Sequence, residues 1–261
     1  MKTYASILLL LFLSQTGLAQ KKIKTLLLND TILYSAVDRP GDFYVITKGG
    51  QIQRFDKDGK LLVLYKAEKA PTLFDPRDGA RLFAYYRHDQ HYDFLNPSFE
   101  SAQSYKIDPS FAIQPWMMCP SGDHKLWILD KADHSLKKIN VRESEVELEV
   151  VVDSLIGGSE IFKTMREYQN FVFLLNPAKG ILIFNTLGKY IRTIEASGIE
   201  NFNFLGEELY YLDGGNIQFF NLFTTERRRL PVAPGKTSAI VTDERLILMT
   251  HLDIDIYPFR P

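Results

Sequence analysis

A short apolar run behind a tight turn recurs six times along the 261 residues. Each run is followed by a segment that closes on an apolar residue plus a polar one, and no helical periodicity of useful length interrupts the series. These three observations predict an all-β chain folded as a six-bladed β-propeller with four-stranded blades.

The six runs are Phe43–Ile46, Leu82–Tyr86, Leu126–Leu129, Phe171–Leu175, Leu209–Leu212 and Leu246–Met249. They are aromatic or aliphatic without alternation, which is how a strand covered on both faces reads. Their spacing, about 36 to 45 residues, matches one propeller blade. A turn precedes each run: Asp38–Asp42, Pro76–Gly79, Pro120–Asp123, Arg166–Asn170, Gly206–Glu208 and Thr242–Arg245. Gly, Pro and Asp supply the backbone angles and side-chain caps that reverse a chain.

The segment after each run is the next strand of the blade. Five end in Phe55-Asp56, Leu95-Asn96, Ile139-Asn140, Phe184-Asn185 and Phe220-Asn221, and the sixth in Tyr257-Pro258. A more polar strand follows in five blades, at Leu61–Tyr65, Ala102–Ile107, Val146–Val152, Tyr190–Glu195 and Arg227–Val232, as expected of outer edges. The last repeat lacks this strand, and Ile23–Leu28 stands alone at the start. The expectation is that Ile23–Leu28 pairs as the outer strand of the final blade and closes the ring. Ser154–Glu167 has room for one helical turn, but Gly157-Gly158 opposes a longer helix.

Residues 1–19 read as a signal peptide. Lys2 is the positive end, Ile7–Leu13 an apolar stretch too short to span a bilayer, and Gly17-Leu18-Ala19 the small-residue cleavage site. The propeller then occupies 20–261, with no further transmembrane segment expected. The single cysteine, Cys119, cannot form an internal disulfide, and its apolar neighbours predict a buried, unreactive thiol. Lys+Arg 31 against Asp+Glu 32 gives a net charge of −1, so nothing pulls the chain toward nucleic acid or an anionic membrane.

Three stretches carry a family resemblance. Gly122–Asp130 running on to Leu136–Asn140, Phe55-Asp56-Lys57-Asp58-Gly59-Lys60-Leu61-Leu62, and Phe184-Asn185-Thr186-Leu187-Gly188-Lys189-Tyr190-Ile191 resemble the NHL-type and related six-bladed propellers of the bacterial envelope. The likeness covers the whole mature chain as architecture and about three blades as motif. It implies a binding platform more often than an enzyme.

In a propeller, the loops between the second and third strands share a rim with the loops that lead into the next blade. Here they are Lys48–Gly50, Arg87–His91, Asp130–His134, Asn176–Lys179, Asp213–Gly215 and His251–Asp253, and this is the rim where binding is expected. Three of the six pair His with Asp, a donor set suited to a metal or to acid–base work. Against that, polar residues at wet blade tips need no function, and no His-x-Glu-x-His-type spacing occurs. The inner strands begin with Thr72, Gln114, Lys163, Asn201 and Ser238, which include no carboxylate for calcium. Asp38, Asp78 and Asp123 recur on the opposite rim, as turn caps.

Blade two is the densest in Arg, Tyr and carboxylates, the composition of binding hot spots. The candidate binding residues are therefore Arg77, Arg81, Tyr86, Arg87, Asp89 and His91, with Asp130, Asp133, His134, His251 and Asp253 on the rim. No catalytic residue, metal or cofactor is expected. The resulting expectation is an exported, non-catalytic scaffold that binds a protein or ligand in the periplasm or at the outer membrane. The alternatives are a metal-dependent, lactonase-like hydrolase working at the channel mouth, and a glycan-binding module.

Overall fold

A computed structural model of the chain describes residues 21–100, 102–152 and 162–260. Among the described residues, twenty-four strands form six antiparallel four-stranded sheets. Five blades run in sequence from the inside outward: β2 (Ile32–Val37) to β5 (Leu61–Lys66), β6 (Leu73–Asp75) to β9 (Ala102–Lys106), β10 (Pro115–Pro120) to β13 (Glu145–Val151), β14 (Thr164–Tyr168) to β17 (Tyr190–Glu195), and β18 (Asn203–Leu205) to β21 (Arg227–Pro231). The sixth holds β22 (Ser238–Val241), β23 (Arg245–Met249), β24 (Asp253–Pro258) and, at its outer edge, β1 (Lys24–Leu27).

The apolar runs are the second strands, and those of the first three blades are buried along their whole length. Each is flanked by strands of its own sheet and packed between two neighbouring blades. The core is accordingly a ring of interblade clusters. Tyr44, Ile46, Phe74 and Leu82 fill the joint between blades one and two, and Phe173, Leu175, Phe202 and Leu209 that between blades four and five. Blades two, three and four share one continuous cluster around Trp127, Phe83 and Phe184. Cys119 lies inside it, fully buried, and burial pushes its thiol well above the usual range.

The expected closure is present. β1 pairs antiparallel with β24, Lys24 opposite Ile256 and Leu27 opposite Asp253. Asp255 ties the seam: its carboxylate accepts from Thr25 Oγ1 at 2.6 Å and Lys236 Nζ at 2.7 Å, and pairs with Lys22 at 2.8 Å. The ring is thus held by hydrogen bonds between the two ends of the described chain, and β24 is no longer an open edge.

The Phe-Asp-x-x-Gly-Lys turns have a packing reason. Asp56 Oδ1 caps Asp58 N and Lys60 N, and Asn185 Oδ1 caps Leu187 N and Lys189 N. Gly59 and Gly188 both take positive φ, and each turn presses on the outer strands of the preceding blade. A Cβ on Gly59 would stand 2.5 Å from Ile256 Cδ1, and one on Gly188 2.6 Å from Val150 Cγ2.

Two local expectations change. Residues 153–161 and the leader 1–19 lie outside the described residues. Thr164–Tyr168 is the inner strand β14, so Arg166 and Glu167 belong to a strand facing the axis rather than to a helical turn or a surface turn. Among the described residues no helix is long and apolar enough to cross a membrane.

Candidate functional site

A cavity of about 700 Å³ opens at one end of the channel. Its wall is made by the turns from first to second strands: Asp38–Gly41, Asp78, Ser121-Gly122, Tyr168–Asn170, Leu205-Gly206 and Thr242–Glu244. This is the rim opposite the one that the loop chemistry singles out. The concavity arises because the inner strands end here on polar side chains that reach across the axis.

Asp75, the last residue of β6, is 2% exposed. Pro76 turns the chain so that Arg77 folds back on it, with Nε 2.9 Å from Oδ1 and Nη2 2.5 Å from Oδ2. Burial of Asp75 opposes ionisation, but the adjacent guanidinium outweighs it and holds the carboxyl below its usual pKa. Arg77 Nη1 then crosses blade three to donate to the main-chain carbonyl of Glu167.

Glu167 turns its carboxylate onto blade three. Oε2 accepts from Trp127 Nε1 and from Ser121 Oγ, and Oε1 from Gly122 N at 2.9 Å. Arg166, the preceding residue of the same strand, points the other way, since side chains alternate along a strand. It is 4% exposed, and its Nη1 donates to Asn203 Oδ1 and to Phe202 O in blade five. Further in, Asn201 Nδ2 donates to Ser35 O in blade one at 3.0 Å. Blades one, two, four and five are therefore linked through the channel, and the cavity has a floor. Tyr168 stacks on Phe204, ring centroids 4.1 Å apart, and Arg81 lies 3.4 Å over the Phe94 ring. All four line the cavity wall.

The predicted residues divide between the two rims. Arg77 and Arg81 belong to the cavity. Tyr86 is 7% exposed and stacks on His91 at 4.5 Å within the core between blades one and two. Arg87 donates to Trp116 O at 2.7 Å and lies 3.8 Å over the Trp116 ring, a joint between blades two and three. Asp89 pairs with Lys69 at 3.0 Å, and His91 stands 3.8 Å from Asp93. Asp130 is fully buried and caps Ile113 N, Gln114 N and Ala132 N while bonding Lys137. Asp133 accepts from Ser135 Oγ and pairs with Lys137 at 2.5 Å. His134 takes a positive φ of 57° at a turn, and its carbonyl accepts from Val152 N. His251 is exposed, with its carbonyl bonded by Ile32 N. Asp253 accepts from Thr250 Oγ1 and pairs with Lys236.

The His and Asp loops thus do turn and interblade work, and the structure does not bring them to one point. Among the described residues no three His, Cys, Asp or Glu side chains stand where they could hold a metal ion. Sequence reasoning missed Asp75, Arg166 and Glu167. The strand starts carry no sign of them: Asp75 closes β6, and Arg166 and Glu167 lie within β14.

No protein-family model matches the chain, and no curated protein matches it. Solved structures do. A catalytically inactive variant of virginiamycin B lyase from Staphylococcus aureus, determined with quinupristin, is 11% identical with TM-score 0.55, over 87% of this chain and 80% of that one. The extracellular domain of a putative hybrid two-component system from B. thetaiotaomicron is 12% identical with TM-score 0.55, over 86% of this chain and 33% of that one. The Neurospora crassa Pan2 WD40 domain is 8% identical with TM-score 0.58, over 91% and 94%. Identities this low show a shared propeller fold and nothing finer.

Proposed function

We propose that this propeller is an exported, non-catalytic scaffold of NHL-like type. In this reading it binds a protein partner in the cell envelope through the cavity rim lined by Arg39, Arg81, Tyr168 and Phe204. One observation carries the reading. The Asp75 and Glu167 carboxylates at the cavity floor are already engaged, Asp75 by Arg77 and Glu167 by Trp127, Ser121 and Gly122. On the rim stand the exposed guanidiniums of Arg39 and Arg81 and the half-buried rings of Tyr168 and Phe204, residue types that anchor interfaces. The leader-like residues 1–19 support export, and the B. thetaiotaomicron neighbour is itself an extracellular domain.

The test is a photo-crosslinking amino acid placed at Arg39 or Tyr168, and as a control at His88 on the opposite rim, in the cell that makes the protein. Mass spectrometry of the products is expected to show one envelope protein captured from the cavity rim alone. Equal capture from both rims, or none from the cavity rim, removes the reading.

A further inference from the structure

Arg166 is left short of partners at the cavity floor. Its Nη1 is used by Asn203 and Phe202, both neutral acceptors. Its Nε is buried without an acceptor, and its Nη2 donates to none, among the described residues. The groups that face it electrostatically are Asp75, Arg77, Tyr210 and Tyr34. Asp75 is the one carboxylate of this set and is held by Arg77, while Glu167 is spent on blade three. Two guanidiniums therefore share one nearby carboxylate. Burial lowers the pKa of Arg166, the mark of a charge that its surroundings do not fully compensate. Nε is shielded within the fold, so Nη2 is the nitrogen left to meet an acceptor in the cavity, where a carboxylate would gain a charge-assisted bond. The same cavity offers the stacked rings of Tyr168 and Phe204 as an apolar wall, and its volume of about 700 Å³ is that of a small-molecule pocket.

We propose that the cavity floor binds an organic carboxylate, seated on the Arg166 guanidinium at Nη2 with its apolar part against Tyr168 and Phe204. This rests on reading the cavity mouth as a binding surface, and it names the chemistry that the floor selects. A charged acceptor supplies both the missing counter-charge and the missing hydrogen-bond partner, whereas a neutral amide offers no counter-charge.

The probes are benzoate, its neutral analogue benzamide, and phenyl phosphate as the other source of an anionic head, followed by calorimetry and thermal unfolding of the full mature protein. Benzoate is expected to bind and raise Tm, with benzamide inert. Arg166→Gln is expected to weaken benzoate about tenfold or more, the loss of a charge-assisted hydrogen bond. Arg166 also joins blades four and five, so Arg166→Lys serves where Arg166→Gln fails to fold. It keeps the charge but loses the planar fork, and it is expected to weaken benzoate as well. Equal binding of benzoate and benzamide, no benzoate binding up to its solubility limit, binding of phenyl phosphate alone, or full benzoate affinity in a folded Arg166 variant each overturns the proposal. Partner crosslinking at the rim is scored separately, so a retained crosslink with no benzoate binding removes the ligand class and leaves the scaffold reading standing.

Discussion

Arg77 and Glu167 stand 90 positions apart in the chain, and a hydrogen bond from Arg77 Nη1 to the Glu167 carbonyl joins them across the mouth of the channel. With Asp75 beneath Arg77, this contact turns an open ring of sheets into a closed-bottomed cup. Breaking a buried charge pair by removing one partner costs about 3–5 kcal/mol, because the other charge stays buried. Asp75→Ala is therefore expected to lower unfolding free energy by about that amount in urea titrations. A loss no larger than that of a surface Asp→Ala control would show that Arg77 finds another partner.

The seam between first and last strands should give the protein an acid-sensitive component. Burial of Asp255 raises its pKa, but Lys22, Lys236 and Thr25 together outweigh this and hold it at about 2, against 3.8 ordinarily. A carboxyl depressed in the folded state stabilises fully above its unfolded pKa and loses that contribution as pH falls through the folded value. The contribution is about 2 kcal/mol. Wild-type stability is expected to fall by roughly this amount between about pH 5 and pH 2, beyond the fall seen in Asp255→Asn. Parallel pH curves for the two proteins would contradict it.

Gly188 combines a positive φ with a near contact to Val150. Gly188→Ala is expected to cost about 2–4 kcal/mol, left-handed strain plus overpacking. Adding Val150→Ala should recover the overpacking part and leave the strain. If the double variant recovers nothing in denaturant titrations, the contact with the preceding blade is not what demands the glycine.

Arg87 separates a packing role from a binding role. Its bond to Trp116 O and its stacking on the indole join blades two and three. Arg87→Ala is expected to lose about 1–3 kcal/mol of stability while leaving crosslinking from Arg39 and Tyr168 unchanged. Unchanged stability with lost capture would return Arg87 to the binding surface.

The sequence by itself determined the blades. Six buried second strands must be apolar on both faces, so Phe43–Ile46 and its five counterparts announce themselves without alternation, and turn chemistry marks where each begins. The orphan strand before Leu28 also implied its own partner, since the last repeat was one strand short. Which rim is concave, and which charges meet there, only the tertiary structure decided. Asp75 and the adjacent pair Arg166 and Glu167 lie on two short segments whose local patterns read as turn or strand ends. Their meaning comes from contacts across the channel, which depend on how far each inner strand runs and which way its last side chains point. By contrast, Asp130 and Asp133, conspicuous in sequence, are absorbed by backbone amides and Lys137 close by in the chain. A polar side chain satisfied by its neighbours is structural, and one left unsatisfied at the axis, as Arg166 is, becomes visible only when six blades have closed around it.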